Sequence, residues 1–121
     1  SRCSRSPRSS SWQGSVKLLL DESLPQDLRL HLSDHEAVTV PFRGWASKQN
    51  GELLRLASPE FDVFITADQS LEHQQNIGQF DIAVVILMAP SNRLADLMPL
   101  LPKVLGLLAS VRPGCIYRVS V

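Results

Sequence analysis

Four acidic side chains stand where short apolar runs end or helical patterns begin. Asp21 and Glu22 close the run VKLLL, Asp68 closes FDVFITA, and Glu52 lies in the opening turn of NGELLRLA. Carboxylates drawn together from such distant positions repel one another strongly unless a divalent cation lies between them. Hard oxygen ligands favour Mg2+ or Mn2+ over zinc. A cation held this way supports phosphodiester hydrolysis, because it acidifies a bound water and polarises the phosphoryl oxygen. The expected metal ligands are Asp21, Asp68 and Glu52, with Glu22 beside them as a fourth catalytic candidate.

Each acid also has an ordinary explanation. Neighbours in a strand point to opposite faces, so only one of Asp21 and Glu22 can serve a given side. Glu52 in a first helical turn favours the helix dipole, and Asp68 can cap the turn that follows it. Taken together, an acid after the first strand and another after the third carry more weight than either alone. Sites of open α/β sheets form outside the carboxyl ends of the strands.

Weaker candidates surround these. Arg43 and Lys48 lie in the loop before Glu52 and are expected phosphate contacts, with Arg93 a third. Gln74, Gln75 and Asn76 form a polar run after Asp68 and could meet a phosphate or a base. Trp45 could stack on a base but is better placed to pack over the sheet. His31 and His35 are four apart without a third zinc ligand at a recognisable spacing, and His73 follows Asp68. There is no glycine-rich phosphate loop, no GxSxG elbow and no Cys/His dyad.

The elements that must position these residues alternate. Continuous apolar runs at 16–20, 37–40, 61–65 and 82–88 predict strands buried on both faces, as in a parallel sheet. Between the first two, Ser23-Leu24-Pro25-Gln26 predicts a helix start capped by Ser23, with Leu24, Leu28 and Leu32 as its apolar stripe. Asn50 opens a second helix, and a short polar helix or turn is expected over 71–76. A third helical region follows Ser91, divided by Pro99 and Pro102. Residues 115–121 alternate and predict a final edge strand. The expected class is α/β, with helices on both faces of a mainly parallel sheet and right-handed crossovers.

Composition sets the limits. At 121 residues, with 44% hydrophobic and 20% charged side chains, the chain suits one globular domain. Its longest apolar stretch is too short to cross a bilayer. Residues 1–14, SRCSRSPRSSSWQG, have almost nothing to bury and are expected to be a disordered tail, leaving 15–121 as the domain. The tail carries three of the 12 basic residues and no acid, so the remainder has 9 against 12 acids, a net charge of −3. That balance argues against strong sequence-independent nucleic-acid binding. Cys3 and Cys115 make no metal spacing and no disulfide framework. Cys115 is expected to be a small buried hydrophobe, and a cytoplasmic location is the simplest home.

The stretches VKLLLDESLPQDL, GWASKQNGELLRLA, FDVFITADQSLEHQQN and LADLMPLLPKVL together resemble an uncharacterised family of PIN-like proteins. Its members begin Leu-Leu-Asp-Glu-Asn-Leu-Pro and carry a Thr-x-Asp element. The resemblance covers about residues 16–112. It implies a three-layer α/β/α sandwich and, by the wider group, a magnesium-dependent ribonuclease, in some cases a toxin held by a small antitoxin-like protein. Asp21 matches the family's first acid, Glu22 the acid beside it and Asp68 the acid of Thr-x-Asp. The chain departs from the pattern at Asn50 and Ser70, where many relatives carry Asp. Those departures motivate a second reading, a non-catalytic interaction module on the same scaffold. A phosphorylation receiver also places acids after its first and third strands, but it needs a lysine after the fifth, where this chain has only Arg118. RNA, an antitoxin-like protein or a second copy of the chain are the expected partners, and no membrane.

Overall fold

The structure, a computed structural model, describes residues 17–32, 35–45, 50–67, 80–91, 93–108, 110–112 and 114–120. Five strands form one sheet: β1 (Lys17–Leu20), β2 (Glu36–Thr39), β3 (Val63–Thr66), β4 (Ala83–Met88) and β5 (Ile116–Ser120). All pairings are parallel, in the order β2-β1-β3-β4-β5. The class is therefore α/β, as the alternating pattern predicts. The expected tail at 1–14 and the polar segment at 71–76 lie outside the described residues.

Both faces of the inner strands are covered, which is why these strands are continuously apolar. Leu18, Leu20, Val63, Ile65, Ala83, Val85 and Leu87 point to one face. Leu19, Phe64, Val84 and Ile86 point to the other. The first face is packed by the 3-10 helix η1 (Gln26–Leu32), through Leu28 and Leu32, and by the helical segment before β5. The second is packed by helix α1 (Asn50–Ala57), through Leu53, Leu54 and Ala57.

Leu24, Leu28 and Leu32 are buried as expected, but the element is a seven-residue 3-10 helix, not an α-helix, and it starts at Gln26, after Leu24. Ser23 does not cap it; its hydroxyl is used on Asp21. The prolines divide the third helical region as predicted. Helix α2 (Leu94–Leu97) passes through the 3-10 turn η2 (Met98–Leu100) into α3 (Leu101–Leu107). Proline at the start of η2 and of α3 lacks the N–H that an uninterrupted helix would bond.

Two expectations need correction. The steps β1→β2 and β4→β5 run in opposite directions along the sheet, yet η1 and α2–α3 cover the same face. Their crossovers are therefore of opposite hand, and the chain departs from uniform right-handedness. Cys115 is buried, as expected, but it is disulfide-bonded, with its partner outside the described residues. No helix among the described residues is long and apolar enough to cross a membrane.

Candidate functional site

The strand order reverses between β1 and β3. A crevice forms at such a point, outside the carboxyl ends of the two strands. Asp21 follows β1 there. Its N–H donates to the Ile65 carbonyl at 2.9 Å, so the β1–β3 ladder runs one residue past the strand. By alternation from Leu19, its side chain takes the α1 face. Thr66, the last residue of β3, takes the same face by alternation from Phe64 and is only 1% exposed.

The two side chains meet. The Thr66 hydroxyl donates to Oδ2 of Asp21 at 2.9 Å, and the Ser23 hydroxyl donates to the same oxygen at 2.6 Å. The Leu24 N–H donates to the Asp21 carbonyl at 3.0 Å and tightens the turn that brings Ser23 round. Hydrogen bonds to an ionised acceptor are among the stronger ones. Here they fix the carboxylate plane while Oδ1 accepts no hydrogen bond from the described residues. The half-buried carboxylate is thus oriented and keeps one oxygen available to a ligand.

The other predicted residues stand as follows. Glu22 is exposed in the turn after Asp21. Glu52 is exposed in the first turn of α1. That helix runs antiparallel to the strands it connects, so its first turn lies on the side of their carboxyl ends. Arg43 is directed elsewhere. Its guanidinium pairs with Glu60, sits 4.8 Å from the Trp45 ring centroid and 5.8 Å from that of Phe61. Glu60 and Phe61 precede β3, near the amino ends of the strands, where the Asp62 carboxylate accepts from the Lys17 N–H. The Arg43 backbone stays at the carboxyl end of β2, where its N–H donates to the Thr39 and Val40 carbonyls, while its guanidinium is engaged by Glu60 and the two rings. Trp45 packs edge-on against Phe61 with centroids 6.2 Å apart, as the packing alternative predicts.

Asp68, Lys48, His73, Gln74, Gln75 and Asn76 lie outside the described residues. Among the described residues, no three histidine, cysteine, aspartate or glutamate side chains come together to hold a metal. Sequence reasoning missed Ser23 and Thr66 as partners of Asp21. The available signal was the pair of hydroxyls two residues after one strand-end acid and two residues before the other. Comparison with known proteins finds no matching family model, no matching curated protein and no matching solved structure.

Proposed function

We propose that the chain is a PIN-like, metal-dependent ribonuclease whose reacting centre lies at the carboxyl ends of β1 and β3. One observation carries the reading: the Asp21 carboxylate is held by two hydroxyls at the reversal of strand order, with Oδ1 left to a ligand. A carboxylate fixed in this way suits a hard cation better than a freely rotating one, because less freedom is lost on binding. Asp21 and Asp68 would hold Mg2+ or Mn2+, with Glu52 or Glu22 completing the ligand set. The bound cation would supply an acidified water and stabilise charge on the phosphoryl group. Ser23 and Thr66 keep the Asp21 plane fixed.

RNA is the proposed substrate, a small antitoxin-like protein the proposed regulator and a homodimer the proposed assembly. The proposed setting is cytoplasmic. The Cys115 disulfide bears against that part, since reducing compartments keep thiols reduced. The test is cleavage of a mixed-sequence single-stranded RNA in Mn2+ by the wild-type chain, Asp21→Asn and Asp68→Asn. The reading expects cleavage lost in both variants. Undiminished cleavage in either removes that residue from the reacting centre, and none in the wild type removes the reading.

The second reading, an interaction module without chemistry, is favoured by Arg43, which is committed to Glu60 and not to the crevice. It predicts negligible magnesium affinity and a stable complex with a partner. A receiver domain shares the strand order β2-β1-β3-β4-β5. A sheet wound uniformly right-handed would place the β4–β5 helix on the α1 face, whereas α2 and α3 cover the η1 face.

A further inference from the structure

β2 is an outer strand, bonded only to β1. The Val40 N–H donates to the Leu20 carbonyl, which fixes the alternation of its backbone groups. Glu36 and Val38 turn theirs toward β1, so Ala37 and Thr39 turn theirs outward. The outward Thr39 carbonyl accepts from the Arg43 N–H at 3.3 Å. The Ala37 N–H and carbonyl and the Thr39 N–H have no such partner among the described residues. Thr39 is only 5% exposed, and with Ala37 it lines a groove beside this strand. An unpaired buried N–H is costly, and native structures pair almost all of them.

The groove has a volume of about 440 Å³. It is lined by Gln26 and Arg29 of η1, by Ala37, Val38 and Thr39 of β2, and by Pro41 and Phe42 of the turn that follows. Arg29 makes no ion pair with the described residues. Phe42 is 81% exposed, the most exposed large hydrophobic side chain described. An open strand edge with two outward N–H groups and one outward carbonyl thus adjoins a groove lined by one cation and one exposed aromatic ring. The complementary occupant supplies peptide carbonyls at strand spacing for the two N–H groups, a peptide N–H for the Ala37 carbonyl and one carboxylate for Arg29.

We propose that the β2 edge binds an extended segment of a partner protein by strand addition. The segment pairs with Ala37 and Thr39, places an acidic side chain against Arg29 and rests an apolar one on Phe42. Main-chain bonds give such complexes affinity, and the alternate side chains give them specificity. The inference is independent of any chemistry at Asp21, which faces the β1–β3 crevice.

The test pans a random-peptide library against the immobilised full chain and measures the selected peptides by fluorescence anisotropy. Arg29→Glu reverses the charge lining the groove. Ala37→Pro removes one outward N–H and leaves the β1 ladder intact, a substitution edge strands accept. Phe42→Ser removes the exposed ring, and all three sites are at the surface or edge, so folding is checked by circular dichroism. The expected result is enrichment of acidic, strand-forming peptides whose affinity falls about tenfold or more in each variant. Peptides that bind all three variants as well as the wild type overturn the proposal, as does a library that yields no binder. Dimerisation of the wild type, lost in Ala37→Pro, overturns it in favour of a second copy of the chain.

Discussion

Removing the hydroxyl of Thr66 tests whether Asp21 is held as described. Thr66→Val keeps the branched shape at a site only 1% exposed and deletes the donor 2.9 Å from Oδ2. A hydrogen bond to a charged group contributes about 1.5–3 kcal/mol. Asp21 is half-buried, and water recovers part of the loss, so about 1 kcal/mol is expected. The added methyl contact blurs a single measurement, because burial of one carbon is itself worth about 0.8 kcal/mol. A double-mutant cycle with Asp21→Ala removes that ambiguity. Urea unfolding of the wild type, the two single variants and the double variant gives the coupling directly. The geometry predicts a coupling of about 1 kcal/mol. Additivity within about 0.5 kcal/mol would refute the claim that Thr66 holds the carboxylate.

Other outcomes follow from the packing. Leu54 is fully buried between α1 and the sheet, so Leu54→Ala should cost about 2–5 kcal/mol in urea unfolding. Gly106 lies in α3 with open space where a Cβ would stand, so Gly106→Ala should raise the melting temperature, by about 0.5–1 kcal/mol of stability. Arg43→Ala loses an exposed ion pair and two ring contacts; it should cost no more than about 1 kcal/mol and leave the cation response unchanged. Alkylation in denaturant without reductant should leave Cys115 unmodified, and addition of reductant should expose it, both read by peptide mass.

Strand positions were legible because burial on both faces demands unbroken apolar runs, and β1, β3 and β4 each contain one. The break at Pro99 and Pro102 was legible for a local reason, the missing N–H. What sequence could not give was set by tertiary arrangement. The spacing of Leu24, Leu28 and Leu32 reports a buried stripe but does not separate a 3-10 from an α-helix in so short a segment. Nothing local determines the face on which α2 and α3 settle, so the hand of the β4–β5 crossover was hidden. Arg43 was placed near the crevice from loop order alone. Its guanidinium instead pairs with Glu60 of the α1–β3 turn and lies over the Trp45 and Phe61 rings, a tertiary contact that loop order does not report. Asp21 was found from its place after a strand, while its two hydroxyl partners came from the turn and the neighbouring strand.

The most direct test is a Mn2+ and Mg2+ titration of thermal stability, with the wild type beside Asp21→Asn and Asp68→Asn. A cation that binds only the folded chain raises its stability by about 2.7 kcal/mol at one hundred times its dissociation constant. A cation held by Asp21 and Asp68 raises the wild type's stability, and both variants lose the rise. A flat wild-type response, or a rise that Asp21→Asn retains in full, would contradict a cation site at the ends of β1 and β3.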